Sequence, residues 1–167
     1  VMRADLSAAL VVFAFVAAAT PGPNITMVMA SGANFGVRRS MPHILGVCLG
    51  FVLMVAVVGL GIGQLLVHSP KVYTALKYAS GAYMLWLAWK IANSGPINES
   101  GGKAAPMSFL AAAAFQWVNP KGWAMAVTAV TTYAVSDHLV FSALFVATVF
   151  GLVSFPSTAA WTLFGTM

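Results

Sequence analysis

Two short polar stretches interrupt apolar runs at matching places in this chain: Thr20-Pro21-Gly22-Pro23-Asn24 in the first run and Asn119-Pro120-Lys121 in the fourth. A proline removes a backbone N–H donor and clashes with the preceding turn, so a helix that contains one leaves carbonyl groups unpaired. Such groups persist at membrane depth only where protein or a polar cavity surrounds them, and paired breaks of this kind mark substrate sites in secondary transporters. The two stretches therefore predict a small transporter.

The composition of the chain assigns it to the membrane class. Of its 167 residues, 60% are apolar and 7% are charged, whereas soluble domains carry about 25% charged residues. Apolar runs of roughly 20 residues match a hydrocarbon core about 30 Å thick, and the alternating polarity of barrel strands is absent. We therefore expect an all-α, polytopic helical membrane protein that contacts membrane lipids.

The polar residues exclude several other classes of function. The net charge of +5 is spread among apolar runs and forms no basic stripe, so we expect no nucleic-acid partner. The single cysteine, Cys48, excludes an internal disulfide and a cysteine-cluster metal site. His43, His68 and His138 lie apart near span ends without metal-ligand spacing, so neither a metal nor another cofactor is expected.

Five apolar segments follow one another, and a polar linker divides them into two groups. They cover Leu6 to about Phe35, Ile44 to Val67, Val72 to Ala92, Met107 to about Val135, and Leu139 to Phe155. The glycine, proline and serine content of residues 94–106 is typical of a flexible linker. We expect a single transmembrane domain over 1–167, with a first repeat of three spans at 5–93 and a second repeat at 107–167.

The second repeat is incomplete on this division. Inverted repeats each contain an odd number of spans, so three spans in the first half predict three in the second. Residues 157–167 are too few to cross a bilayer, which needs about 20 residues. A sixth helix could lie beyond Met167; alternatively, Leu139 to Met167 is one long proline-kinked span, or its end is re-entrant. The expected fold has five to six transmembrane segments, inverted-repeat halves, and broken first and fourth helices.

The lysine and arginine residues near the span ends predict the orientation. Arg38 and Arg39 follow the first segment, and Lys90 and Lys103 flank the linker, so both connections should be cytoplasmic and the N-terminus outside. The start of the chain is similar to a cleavable signal peptide, but Asp5 offsets its weak positive region. Because apolar sequence resumes directly after the first break, we interpret this region as mature membrane helix.

Several motifs in order resemble the lysine exporter (LysE/RhtB) family of amino-acid efflux carriers. They are Thr20 to Asn24, Gly36-Val37-Arg38-Arg39, Gly46-Val47-Cys48-Leu49-Gly50, the stretch Leu76 to Leu87, and Phe115-Gln116-Trp117-Val118-Asn119-Pro120-Lys121. The chain departs from the family in Ala88, where glycine is usual, in Met84, where leucine is common, and in lacking a last hydrophobic segment. The resemblance implies multi-pass insertion in the bacterial plasma (inner) membrane. It also implies export of amino acids or their derivatives, driven by the proton gradient or by exchange.

Lys121 is the leading candidate for a substrate contact. It lies about 21 Å along a helix that starts near Met107, close to the middle of the bilayer. A charge at that depth costs at least ~2.5 kcal/mol on insertion scales, so it normally faces a cavity and a partner. As an ammonium, Lys121 could bind a substrate carboxylate, or it could carry the transported proton if burial favours its neutral form. The alternative is a lysine neutralised by exposed carbonyls of its own broken helix.

The other predicted site residues are amides, a second lysine and the residues of the breaks. Asn24 and Asn119 suit either the capping of a half-helix or the binding of a zwitterion. Lys77 lies inside the third span, where its side chain either faces the cavity or extends to the headgroups. The predicted helix-break residues expose backbone groups and leave a half-helix N-terminus that attracts a carboxylate, unless they form a plain packing kink. They are Pro21, Gly22, Pro23 and Pro120.

Two rival functions belong to other classes. An intramembrane enzyme could use Asp137-His138 and nearby serines, but no nucleophile motif supports it, so we expect no enzyme activity. A small membrane subunit could pack against a partner through its glycine faces, such as Gly32-xxx-Gly36 and Gly46-xxx-Gly50. The same faces could form a homodimer interface. A subunit would tolerate leucine at Lys121, whereas a transporter requires a polar group there.

Overall fold

The computed structural model describes residues 4–62, 68–72, 105–134 and 139–167, together with scattered positions between 74 and 89. The described helices include α1 (Ala4–Ala19), α2 (Pro23–Val57), α3 (Phe109–Phe115), α4 (Pro120–Tyr133) and α5 (Leu139–Gly165). A π-helical turn (Val58–Ile62) follows α2, and a 3-10 turn (Gln116–Val118) follows α3. Most of the third predicted span and residues 94–104 of the predicted linker lie outside the described residues. The all-helical prediction is confirmed for the described part of the chain.

Two apolar helical runs are long enough to cross a membrane by length and composition. They are Pro23–Gly61 and Val140–Gly165 among the described residues. Shorter apolar helices lie at Asp5–Ala19 and Phe109–Val118. Each of these shorter helices is one half of a segment that the sequence predicts to be broken.

The α2 helix consists of two limbs that fold back on each other. Gly36 has φ 74° and ψ 166°, a left-handed conformation that glycine adopts without steric cost. The Oγ atoms of Ser31 and Ser40 lie 2.7 Å apart across this turn, whereas nine residues of straight helix span about 13.5 Å. Residues 23–35, the first limb, and 37–57, the second limb, therefore form a helical hairpin.

The second limb starts earlier than the sequence predicts. We expected the second span to begin near Ile44, with Arg38 and Arg39 in a loop. In the structure both arginines are exposed on the first turn of the second limb. The reason is that Gly36 alone reverses the chain, so a longer connecting loop is not needed.

Helix α5 packs along both limbs and along α1. The Phe13 and Phe150 rings pack edge to face at 5.9 Å, and Gly165 contacts the carbonyl of Met29 on the first limb. A Cβ added to Gly151 would lie 2.8 Å from Val52 Cγ2 on the second limb, and Cys48 of that limb lies 3.8 Å from Thr158, so α5 runs antiparallel to the second limb. Fully buried residues at these contacts form the main core: Leu10, Ala14, Met54, Val55, Ala126, Ala129, Val146 and Phe150.

The α5 helix corrects the expected end of the fifth segment. The sequence predicts that end at Phe155, before Pro156. The helix continues through Pro156 to Gly165. Proline removes one helical hydrogen bond, but a membrane helix tolerates the loss where its neighbours support it. Here Thr162, one turn before the end, is fully buried against Gly32 of the first limb.

Helices α3 and α4 run antiparallel to the first limb and α1. The rings of Tyr133 and Phe13 lie 5.7 Å apart at one end, and Val28 shares a buried cluster with Ala112 at the other. Between these two contacts, the interruption after α1 faces the interruption before α4. The fold thus brings the two polar breaks together.

Candidate functional site

The first break separates α1 from α2 by three residues. The backbone N–H and the hydroxyl of Thr20 both donate to the Val16 carbonyl, which closes the end of α1. Gly22 is the N-cap of α2 with extended backbone, and Pro23 is the first helical residue. The carbonyl end of one helix and the N–H end of the next therefore meet at the same point.

The second break has the same construction. The 3-10 turn ends at Val118, Asn119 is the N-cap of α4, and Pro120 is its first residue. The Asn119 side chain accepts a hydrogen bond from the Lys121 backbone N–H at 3.1 Å. Pro23 and Pro120 thus hold equivalent positions, because proline suits the first turn of a helix, where its missing N–H is not needed.

A reciprocal pair of amides joins the two breaks. Asn24 Nδ2 donates to Gln116 Oε1 at 2.8 Å, and Gln116 Nε2 donates to Asn24 Oδ1 at 3.2 Å. Gln116 Nε2 also donates to the Ala112 carbonyl at 2.9 Å, and the Gln116 side chain is fully buried. Since the two bonds between Asn24 and Gln116 cross from the first to the fourth segment, they fix the relative position of these segments.

Lys121 joins the breaks at a second point. Its Nζ donates to the Thr20 carbonyl at the end of α1. Its aliphatic stem lies on Gly22, where an added Cβ would come within 2.9 Å of Lys121 Cδ. The ammonium is thus held at the negative end of the α1 dipole, where a cation is favoured. The carbonyl that it contacts belongs to the opposite broken helix, not to its own as the alternative interpretation of the sequence proposed.

A cavity of about 50 Å³ lies between the breaks. It is lined by the first turns of both α2 and α4, so two helix N-termini and one ammonium contribute positive potential to the same space. None of the described residues that line it is acidic. The polar side chains of its wall are those of Asn24, Asn119, Lys121, Ser154 and Thr158.

The structure gathers three of the four predicted binding residues. Asn24, Asn119 and Lys121 line one cavity, whereas Lys77 lies outside the described residues. Asn119 caps α4. Asn24 is the second residue of α2, so it is not the N-cap of that helix, and its side chain pairs with Gln116. Of the predicted break residues, Gly22 lines the cavity.

Sequence reasoning missed three polar residues of this site. Gln116 lies one turn before the second break and is the only amide of the fourth segment besides Asn119, which was the available signal. Ser154 and Thr158 of α5 also line the cavity. Their spacing of one helical turn places both hydroxyls on one face, although nothing in the local sequence relates that face to the breaks.

Comparisons with known proteins agree on one family. The family model described as LysE type translocator matches residues 15–164. The cysteine/O-acetylserine efflux protein of Escherichia coli (strain K12) is 40% identical over 133 residues, which cover 79% of this chain and 67% of that protein. The proteins of the same name from Shigella sonnei (strain Ss046) and Shigella flexneri show the same identity and coverage. No solved structure gives a significant match.

Proposed function

The chain belongs to the LysE type translocator family and is an amino-acid efflux transporter, not an enzyme; we propose that it exports a small neutral amino acid through the cavity between its two helix breaks. The observation that carries this proposal is the meeting of two helix N-termini and the Lys121 ammonium at one cavity. The compartment we propose is the bacterial inner membrane, crossed by five to six segments.

The positive potential of the cavity favours binding of the substrate carboxylate. An ammonium and the N–H groups of a helix N-terminus both donate to a carboxylate, and charge-assisted bonds of this kind are the stronger ones. Lys121 reaches the cavity and has its Nζ on a neutral carbonyl, that of Thr20. Since a carboxylate is a better acceptor than a carbonyl, the incoming substrate would take over this donor.

The rest of the wall favours a short, uncharged side chain. Its apolar lining includes Ala17, Ala18, Val47, Phe51 and Met125, and its described polar groups include no carboxylate that could pair with a basic side chain. The hydroxyls of Ser154 and Thr158 offer acceptors to the substrate ammonium. The names of the E. coli and Shigella relatives specify cysteine and O-acetylserine, whose side chains are small and uncharged. We propose the same substrate class here.

Transport then requires the two halves to separate at the breaks. A cavity of about 50 Å³ holds only a few water molecules, so the substrate fits only when the walls move apart. Asn24 and Lys121 line the cavity and bond to Gln116 and Thr20 respectively, so both bonds join the first and fourth segments beside it. We propose that these bonds break and re-form as inverted-repeat halves rock around the site in alternating access.

Counterflow into proteoliposomes tests the proposal. Purified protein would be reconstituted with unlabelled O-acetylserine inside, and uptake of labelled O-acetylserine, cysteine, lysine and glutamate compared. We expect selective exchange of the two small neutral substrates. Lys121→Met, which keeps the length of the side chain, should lower the rate at least tenfold, because about 1.4 kcal/mol of lost binding is a factor of ten.

Two further variants define the control and the refutation. Lys71→Met removes an exposed lysine outside the cavity and should leave exchange unchanged. Lys121→Arg keeps the positive charge and should retain more exchange than Lys121→Met. Exchange by Lys121→Met within twofold of the unsubstituted protein would disprove the assigned site, and preference for lysine or glutamate would disprove the substrate class.

A further inference from the structure

His43 is a buried histidine whose ring has no hydrogen-bond partner among the described residues. Only 2% of its surface is exposed, and neither Nδ1 nor Nε2 has a hydrogen bond within the described structure. Buried polar groups in proteins are almost always paired, so an unpaired one calls for a specific explanation. A neutral imidazole has one donor and one acceptor, and neither makes a hydrogen bond within the described structure.

The position of His43 connects it to the cavity. It lies on the second limb of α2, four residues before Val47 and eight before Phe51, and both of these line the cavity. This spacing places the three side chains on one face of the helix, with His43 about 6 Å from Val47 along the axis. On its other side, Ser40 lies three residues away and is hydrogen-bonded to Ser31 of the first limb.

Polar groups thus extend from the cavity towards the Gly36 turn. His43 comes first, and the buried hydroxyl pair of Ser31 and Ser40 follows one turn later. Beyond that pair the second limb reaches the exposed Arg38 and Arg39, which mark the cytoplasmic end under the proposed orientation. His43 therefore lies between the substrate cavity and the cytoplasmic end of the hairpin.

Among the described residues, few other ionisable groups lie around His43. The first limb, α3 and α5 pack around this part of the second limb, and their described residues contain no acidic, lysine, arginine or histidine side chain. On the second limb itself the ionisable groups are Arg38, Arg39 and Cys48, whose Sγ lies 3.8 Å from Thr158 Oγ1. From α4, Lys121 faces the cavity.

We propose that His43 carries the proton that couples substrate export to proton entry. This inference rests on the proposed function. When the cavity opens outward, a proton from the outside water bonds to a ring nitrogen as the substrate leaves. When the cavity opens to the cytoplasm, that N–H bond breaks and the proton passes to cytoplasmic water. The driving force is the proton gradient, and one proton enters for each substrate exported.

His43 suits this role better than Lys121 does. The Lys121 ammonium already donates to Thr20 and must stay charged to hold a carboxylate. Histidine, by contrast, is the side chain whose ordinary pKa lies between about pH 5 and pH 8, and His43 is not needed to hold the substrate carboxylate. Its two ring nitrogens, which make no hydrogen bond within the described structure, can therefore bond to water that enters the cavity from the outside or from the cytoplasm.

Two transport assays on reconstituted protein test this role. Counterflow without a pH gradient reports exchange alone, and substrate accumulation driven by an imposed pH gradient reports coupling. His43→Gln should keep counterflow within about twofold, lose gradient-driven accumulation, and lose the substrate-induced proton flux seen with a trapped pH dye. His68→Gln, at an exposed histidine, should keep all three. Retained accumulation in His43→Gln, or a parallel loss of accumulation and counterflow, overturns the proposal.

The failures of the two proposals are distinguishable. If the unsubstituted protein shows counterflow but no proton flux, the coupling role of His43 falls and the proposed function stands. If it shows no counterflow of any of the four amino acids, the proposed function falls and the coupling role falls with it.

A second measurement tests the role of His43 even if the His43→Gln variant does not fold. In the double variant His68→Gln/His138→Gln, His43 is the remaining histidine of the chain's three. Its ring ¹⁵N signal should change with pH and move when O-acetylserine is added. A ring signal that responds neither to pH, between about pH 5 and pH 8, nor to O-acetylserine refutes the role.

Discussion

Replacing Gln116 with leucine should reveal how strongly the two breaks hold each other. Gln116 exchanges two hydrogen bonds with Asn24, at 2.8 and 3.2 Å, and donates a third to Ala112. Leucine has nearly the same volume but makes none of these bonds. The variant therefore removes the polar link and leaves the Asn24 amide without this partner, while the packing of the buried site changes little.

The expected loss can be estimated from the bonds that cross between helices. Side-chain hydrogen bonds between membrane helices contribute about 0.6 kcal/mol on average and at most about 1.7. Two such bonds between Asn24 and Gln116 give a coupling of about 1.2 kcal/mol. The lost bond from Gln116 Nε2 to the Ala112 carbonyl adds about 1 kcal/mol, the typical net value of an intramolecular hydrogen bond. We expect Gln116→Leu to lower the free energy of unfolding by about 2 kcal/mol.

A double-mutant cycle isolates the pair from other effects. The protein, Gln116→Leu, Asn24→Leu and the double variant would be unfolded by SDS in mixed micelles and followed by tryptophan fluorescence. The double variant should be less destabilised than the sum of the single variants by about 1.2 kcal/mol.

A matched control cycle uses two exposed helical threonines. Thr131→Val and Thr148→Val remove bonds within α4 and α5 respectively, and their effects should add. An interaction energy for Asn24 and Gln116 within about 0.3 kcal/mol of zero, the ordinary additivity error, would refute the assignment of this pair as a link between the halves.

Two further predictions concern the construction of the site and its scaffold. Asn119→Ala removes the cap of α4 and should lower the free energy of unfolding by about 1 kcal/mol, whereas Asn119→Ser should lose less; SDS unfolding checks this, and equal losses would contradict the cap. Gly50→Val should cost about 1–3 kcal/mol by overpacking, because its Cβ would lie 2.6 Å from Ala113 Cα. Leu49→Val, at an exposed neighbour, should be nearly neutral, and equal thermal stability of the two variants would contradict the close packing.

The helix breaks were the part of the fold that local sequence could predict. Proline at the first position of a helix is a local signal, and both α2 and α4 begin at a proline. Lys121 was identifiable for a similar reason, since a charge within an apolar run needs a partner. The amide next to each proline was evident too, but its role as cap or partner was not.

The contacts across the molecule could not be predicted from the sequence. Gln116 binds a residue 92 positions away, and no local pattern encodes that separation. Burial of His43 likewise depends on the hairpin that Gly36 creates. Pro156 marked a helix end in the sequence, yet the helix continues because its other face packs on the first limb.

The glycine pairs allow helices of the same chain to pack closely. We expected Gly46 and Gly50 to allow a close approach of helices, with a homodimer as one use. In the structure both face α3 of the same chain, and Gly32 faces the carbonyl of Thr162 in α5. These faces are thus filled within one chain, and the homodimer stays a prediction.

The facing breaks also have a consequence for biogenesis. A first segment released into lipid on its own would expose the Thr20 carbonyl and the Asn24 amide to hydrocarbon, which offers no partners. Their partners, Lys121 and Gln116, are synthesised about 100 residues later. A nascent chain that ends before the fourth segment therefore carries a first segment whose polar groups lack these partners. If the two halves fail to meet, these polar groups stay unpaired, and membrane quality control would recognise the misfolded chain by them.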